Sequence, residues 1–253
     1  MSARRTRIQL SVQFLGEAAN ANMATVVQAQ KLEKTYRAGD VDVPALRGVD
    51  FAINTGAFVA FVGPSGSGKT TLLNMIGCLD KPSAGTLRVL DTDIATLDRS
   101  AAADFRGTNL GFIFQDFNLV PVLTAYENIE YPLLMVQDWE TAKRRARVTE
   151  LLAAVGMSDQ ANKRPDQLSG GQKQRVAVAR ALATNAKLVL ADEPTANLDH
   201  ATAYHILELM KKMRDEFGTT FVFSTHDPKI MGEAELTFTL EDGRLVNGGG
   251  KHA

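Results

Sequence analysis

The sequence predicts an α/β fold: a core with a parallel sheet, an antiparallel β subdomain beside it, and a helical subdomain inserted in the core. Three observations carry that prediction. The apolar run Ala57-Phe58-Val59-Ala60-Phe61-Val62 is followed by a glycine-rich stretch and then by Leu72, Leu73 and Ile76 at helical spacing, a strand, a turn and a helix in succession. A second apolar run, Leu188-Val189-Leu190-Ala191, ends in Asp192-Glu193, as a buried parallel strand does when it delivers carboxylates to the C-terminal edge of a sheet. Short strand-like segments around Val26 to Ala52 and Thr86 to Val89 belong to the antiparallel subdomain, and helical segments fill Thr124 to Gly156. Gly156 caps a helix that begins near Thr141, and Asp242-Gly243 reads as a late hairpin turn.

The glycine-rich stretch, Gly63-Pro64-Ser65-Gly66-Ser67-Gly68-Lys69-Thr70, matches the P-loop (Walker A) pattern G-x-x-x-x-G-K-[ST], and Thr71 is read with it. Its glycines let the backbone wrap a phosphate without Cβ clashes, so that successive N–H groups and a helix N-terminus converge on the anion. Lys69 adds a point charge at the β and γ phosphates of ATP, and Thr70 supplies a hydroxyl to Mg²⁺, which takes hard oxygen ligands. Asp192 is the expected Mg²⁺ carboxylate, directly or through a water. Glu193, pointing to the other side of the strand, is the expected general base that polarises the attacking water. An isolated Asp-Glu pair would be an ordinary solvated strand end; after a Walker A match it is a Walker B element.

Composition sets limits on the rest. The 253 residues allow one to two domains, and 45% hydrophobic residues suffice for a core. Lys and Arg number 28 against 29 Asp and Glu, net −1, so no basic field recruits nucleic acid. The cluster Lys143-Arg144-Arg145-Arg147 reads as the solvated face of a helix whose other face carries Val148, Leu151, Leu152 and Val155. The single Cys78 rules out an intrachain disulfide. No run reaches the roughly 18 apolar residues of a spanning helix, so the chain does not form a membrane pathway alone. Residues 1–24 are expected to be a disordered extension, upstream of a start at Met23. Residues 25–246 form a single domain with the helical subdomain at about 116–172, and 247–253 are a flexible tail.

The stretch Leu168-Ser169-Gly170-Gly171-Gln172, met together with both Walker elements, is the signature of the ATP-binding-cassette (ABC) family, which the chain resembles from about Val26 onward. On its own, Ser169-x-x-Gln172 fits a capping box opening a helix through Val176 and Ala179. Two glycines in a first helical turn weaken it unless something approaches the backbone closely. The resemblance implies what approaches: the γ-phosphate held by the opposite subunit, contacted by Ser169, Gly170, Gly171 and Gln172. It also makes the domain an ABC nucleotide-binding domain and the inserted helices its signature subdomain. It further implies that Tyr36 stacks on adenine, and that Gln115 senses Mg²⁺ and the attacking water as a catalytic residue and metal ligand. By the same resemblance Asp199, in Asn197-Leu198-Asp199, is expected to cross the dimer interface, and His226, after the run Phe221-Val222-Phe223, to touch the γ-phosphate as a catalytic residue. A core-edge tyrosine and a turn-forming Asn and Asp would look the same in sequence.

Two segments, Leu73 to Asp80 and Asp116 to Ile129, resemble the branch of the family that powers lipoprotein release and macrolide or peptide export. That resemblance implies a head-to-tail homodimer attached to integral-membrane permease subunits, at the cytoplasmic face of the inner membrane. Phe117, Leu119 and Leu123 then either form an apolar groove for a permease helix or simply pack beneath the helical subdomain. The competing class is a non-transport relative in repair, translation or regulation. Such relatives usually carry two cassettes, long coiled coils or zinc-binding insertions, and this sequence has one cassette, one Cys and no heptad tract.

Overall fold

In the computed structural model, residues 24–250 are described. The extension expected over residues 1–24 lies outside them except for Ala24. The described chain opens with two long strands, β1 (Thr25–Ala38) and β2 (Val41–Asn54), followed by β3 (Phe58–Val62) and α1 (Lys69–Ile76). Next come β4 (Ala84–Val89), β5 (Thr92–Asp93), α2 (Arg99–Asn109) and β6 (Leu110–Ile113). Three helices, α3 (Ala125–Met135), α4 (Thr141–Ala154) and α5 (Gly170–Leu182), separate β6 from β7 (Leu188–Ala191). The long α6 (His200–Phe217), β8 (Thr220–Thr225), the short α7 (Pro228–Met231), β9 (Leu236–Glu241) and β10 (Arg244–Gly250) complete it.

The strands form an antiparallel sheet in the order β2-β1-β4-β5 and a second sheet in the order β10-β9-β3-β8-β7-β6. In the second, β9, β3, β8, β7 and β6 run parallel. β10 returns antiparallel through a turn whose Asp242 and Gly243 have φ of 45° and 75°, the left-handed pair that a tight hairpin needs. β10 continues to Gly250, with Gly248 opposite Phe238 and Gly250 opposite Leu236. The flexible tail expected from residue 247 is therefore corrected: 247–250 are strand, because a ladder uses backbone N–H and C=O groups that glycine supplies as well as any residue. Residues 251–253 lie outside the described ones.

Strands covered on both faces require apolar side chains at every position. β3 meets that requirement, and its alternate residues enter different cores. Phe58, Ala60 and Val62 join Phe221 and Phe223 of β8 and the apolar faces of α3 to α6. Val59 and Phe61 join Val222, α1 and the antiparallel sheet. Phe51 of β2 meets Phe61 edge-on with centroids 5.2 Å apart, and Phe238 of β9 stacks on the same ring at 5.3 Å. Burial of each such side chain stabilises the fold by about 1.5–3 kcal/mol.

Register then decides where function sits. Val62 pairs with Thr225, Phe223 with Ala191, and Ala191 with Ile113. The carboxyl ends of β3, β8, β7 and β6 therefore finish near one level, and the loops that follow them open at one edge, where ligands of such sheets bind.

Candidate functional site

The P-loop leaves β3 at Val62 and turns into α1 with Gly68 as N-cap. Two of its glycines are sterically obligatory. A Cβ on Gly63 (φ +151°) would lie 2.1 Å from the Leu240 carbonyl oxygen, and one on Gly68 (φ +105°) 2.6 Å from that of Ala45. The loop is thus walled by β9 and β2, and the hairpin braces it further: the Gly243 N–H donates to the Ser67 carbonyl at 3.0 Å. Lys69 is 6% exposed, and its ammonium donates to the carbonyls of Gly63 (2.8 Å) and Pro64 (2.9 Å). Two neutral acceptors leave the charge of a three-donor group uncompensated, so the loop is built for an anion. The Ser67 hydroxyl is buried without a partner among the described residues. P-loop residues line one side of a cavity of about 740 Å³, and Gln115, Glu193 and His226 line the other.

The acidic groups come from the end of β7. Asp192 accepts from the Thr70 hydroxyl at 2.9 Å and from the Ser224 hydroxyl at 2.6 Å. A carboxylate and a hydroxyl in contact beside the phosphate loop are the hard oxygen donors that Mg²⁺ takes, with substrate phosphate and water completing the shell. Among the described residues no cluster of three His, Cys, Asp or Glu forms an all-protein cage. The residues present fit Mg²⁺ carried with a nucleotide.

Glu193 adopts φ 47°, a left-handed conformation that persists in a non-glycine residue only when its surroundings hold it. They do so here. Its N–H donates to Ser224 Oγ at 2.9 Å, and its Oε1 lies 2.8 Å from His226 Nδ1. One carboxylate oxygen is thus engaged by His226, and Glu193 lines the cavity.

Not every expected residue reaches that cavity. The Tyr36 hydroxyl donates to Asp80 at 2.7 Å, and the Lys34 ammonium lies 4.9 Å from its ring centroid. Burial and the Asp80 bond raise the pKa of Tyr36, and the residue as a whole is 40% exposed. Ser169 and Gln172 form the expected capping box, with bonds of 3.3 and 2.9 Å. Gly171 also has a reason within its own chain: a Cβ would lie 2.7 Å from the Thr202 methyl, and one on Gly170 would lie 3.3 Å from Leu198. Asp199 caps α6, taking the Thr202 hydroxyl at 2.6 Å and its N–H at 3.0 Å, bonds that lower its pKa. Neither Ser169 to Gln172 nor Asp199 lines the cavity.

The segment after Gln115 is tied to α5. Phe117 and Asn118 both have positive φ, and their carbonyls accept from Arg180 at 2.9 and 2.5 Å. Leu119 packs against the main core. The apolar hollow lies alongside, about 490 Å³, lined by Phe112, Phe114, Val120, Tyr131, Pro132 and Val136. Sequence reasoning also passed over Ser224, the hydroxyl shared by both acids, although a serine two residues before His226 at the end of an apolar strand was the available signal.

The profile of the ABC transporter family matches residues 46–196. The chain is 44% identical over 223 residues to an uncharacterized ABC transporter ATP-binding protein of Thermotoga maritima, covering 88% of this chain and 94% of that protein. It is 42% identical over 225 residues to the macrolide export ATP-binding/permease protein MacB of Salmonella typhi, covering 89% of this chain and 34% of MacB. The chain thus spans about a third of the length of the MacB relatives it matches. Among solved structures, a dimer of the ATP-binding cassette MJ0796 in a post-hydrolysis state with ADP and Pi is similar at a TM-score of 0.81. Its identity is 42%, covering 90% of this chain and 99% of that one. CbiO1 from Clostridium perfringens, part of the ABC transporter complex cbiONQ, gives a TM-score of 0.81 at 29% identity, covering 89% of this chain and 88% of that one. P-loop, paired acids and signature all fall on the matched segment, and the chain belongs to the ABC transporter family as one of its ATPase domains.

Proposed function

We propose that this domain hydrolyses ATP within a head-to-tail homodimer and drives integral-membrane permease subunits from the cytoplasmic face of the inner membrane. One observation carries the dimer. The cavity gathers Lys69, Thr70, Gln115, Glu193 and His226, yet leaves Ser169, Gly170, Gly171, Gln172 and Asp199 outside it. A second copy related by a two-fold axis supplies those residues to the open side. The dimeric state of MJ0796 supports the same arrangement.

In this reading Tyr36 stacks on adenine, and the loop N–H groups from Gly63 to Thr71 cradle the phosphates with the Lys69 ammonium. Thr70, Asp192 and Gln115 would hold Mg²⁺, whose chemistry there is to neutralise charge on the β and γ phosphates. Glu193 takes the proton of the attacking water. His226 keeps Glu193 oriented by donating its Nδ1–H to Oε1, and its ring lines the cavity where the γ-phosphate would sit. The apolar hollow receives a permease helix, and Phe114, which lines it, directly precedes Gln115, so a stroke at one is felt at the other. Among the described residues no helix is long and apolar enough to cross a membrane, which fits a peripheral subunit. No observation favours an action in repair, translation or regulation; MacB and CbiO1 are named for transport.

Light scattering tests the dimer. Glu193→Gln, which holds ATP without consuming it quickly, is expected to shift from monomer to dimer when ATP is added. A monomer at every ATP and protein concentration would sink the proposal.

A further inference from the structure

Gln174 lies one turn into α5 and is 0% exposed. Its Nε2 donates at 2.7 Å to the Pro194 carbonyl. The orientation of the amide is fixed, because a carbonyl only accepts and the nitrogen must therefore face it. The other end, Oε1, is buried with no partner among the described residues. A buried amide with one end unsatisfied is unfavourable beside an apolar side chain of the same size, so core packing alone gives no reason for it. The bond it makes does.

Pro194 follows Glu193, whose left-handed backbone needs external support. Ser224 holds the Glu193 N–H, and His226 holds the carboxylate. The Glu193 carbonyl accepts from the Ala196 N–H at 3.2 Å. What remains is Pro194 itself, which has no N–H to give and offers its own carbonyl, in the Pro194–Thr195 peptide, as its one backbone handle. Gln174 takes that handle. It is carried by the helix whose first turn is Gly170 and Gly171, so that helix is tied directly to the residue that follows Glu193.

We propose that Gln174 is a positioning residue for Glu193. It holds the Glu193–Pro194 turn in the geometry needed for proton abstraction, and it links the base of one ATP site to the signature helix that completes the other. The inference rests on the reading of Glu193 as the general base and of the signature as a cross-chain element.

The test uses the full chain with Gln174→Met and Gln174→Leu, which remove the donor at similar volume. Both are expected to lower kcat roughly 10- to 10²-fold, as small misplacement of a reacting group does, with the KM for ATP and the thermal midpoint nearly unchanged. In the Glu193→Gln background the same substitutions are expected to lower kcat no further, since residues acting as a unit are non-additive. Independent, multiplicative losses would overturn the proposal, as would wild-type kcat in either folded variant. Loss of folding in both would assign Gln174 to the core alone and overturn it equally. Glu193→Gln measured by itself tells the two readings apart: if it hydrolyses ATP at the wild-type rate, the base assignment has failed; if it is slow while Gln174→Met is fast, only the positioning role has failed.

Discussion

Glu193→Gln is expected to bind ATP as the wild type does and to hydrolyse it roughly 10² to 10⁴-fold more slowly, the usual loss when a positioned base is removed. The substitution is nearly isosteric. The backbone bond to Ser224 persists, and an amide oxygen still faces His226 Nδ1, so the left-handed turn at residue 193 keeps its supports. What disappears is the basic oxygen that receives the proton. Phosphate release and equilibrium nucleotide binding, measured side by side, separate the two effects. Hydrolysis at the wild-type rate would take Glu193 out of the base role, and a parallel fall in affinity would show that the substitution disturbs the cavity instead.

Lys69→Ala is expected to fail earlier, at binding. Hydrogen bonds to charged groups contribute about 1.5–3 kcal/mol, which at 1.4 kcal/mol per decade is roughly a 10- to 10²-fold loss of ATP affinity. Lys69 also braces the Gly63 and Pro64 carbonyls, so the loop loses its own support with the charge. Arginine does not substitute for it, since a planar fork does not fit a buried site made for a compact ammonium. Titration with a fluorescent ATP analogue reads the loss; unchanged affinity in the folded variant would contradict the role given to Lys69.

How far the sequence announces this structure differs element by element, for physical reasons. The P-loop and the Asp192-Glu193 pair are legible because their chemistry demands particular residue types at fixed local spacing. The Asp242-Gly243 turn is legible because its backbone needs positive φ. The capping box was legible and is present, but the second reason for Gly171, the Thr202 methyl, is not local. Likewise the Leu240 carbonyl that forbids a side chain on Gly63 reaches it only through the pairing of β9 with β3. α6 went unread although Asp199 and Gly218 cap it and Ala203, Ile206, Leu207, Met210 and Met213 form its buried stripe. Charged residues and histidines between those positions dilute the stripe in the sequence. α2 buries only Ala102, so it has almost no apolar period to read. The glycines before residue 251 looked like a tail because composition reports side chains, while β10 is held by backbone.

If one ATP site is assembled from two copies of this chain, mixing two crippled proteins shows it most directly. Glu193→Gln lacks the base but keeps an intact signature. Ser169→Arg keeps the cavity but blocks the signature, at a cost of about 1 kcal/mol for the lost helix cap. In a mixed dimer, the P-loop and Glu193 of the second protein face the intact Ser169 of the first, and one complete site is restored. ATP hydrolysis by the mixture is therefore expected to rise well above the sum of the two proteins measured apart, toward roughly a quarter of wild type if pairing is random and the sites act independently. A mixture that hydrolyses no faster than that sum, under conditions where both variants are folded and dimers form, would contradict a site shared between chains.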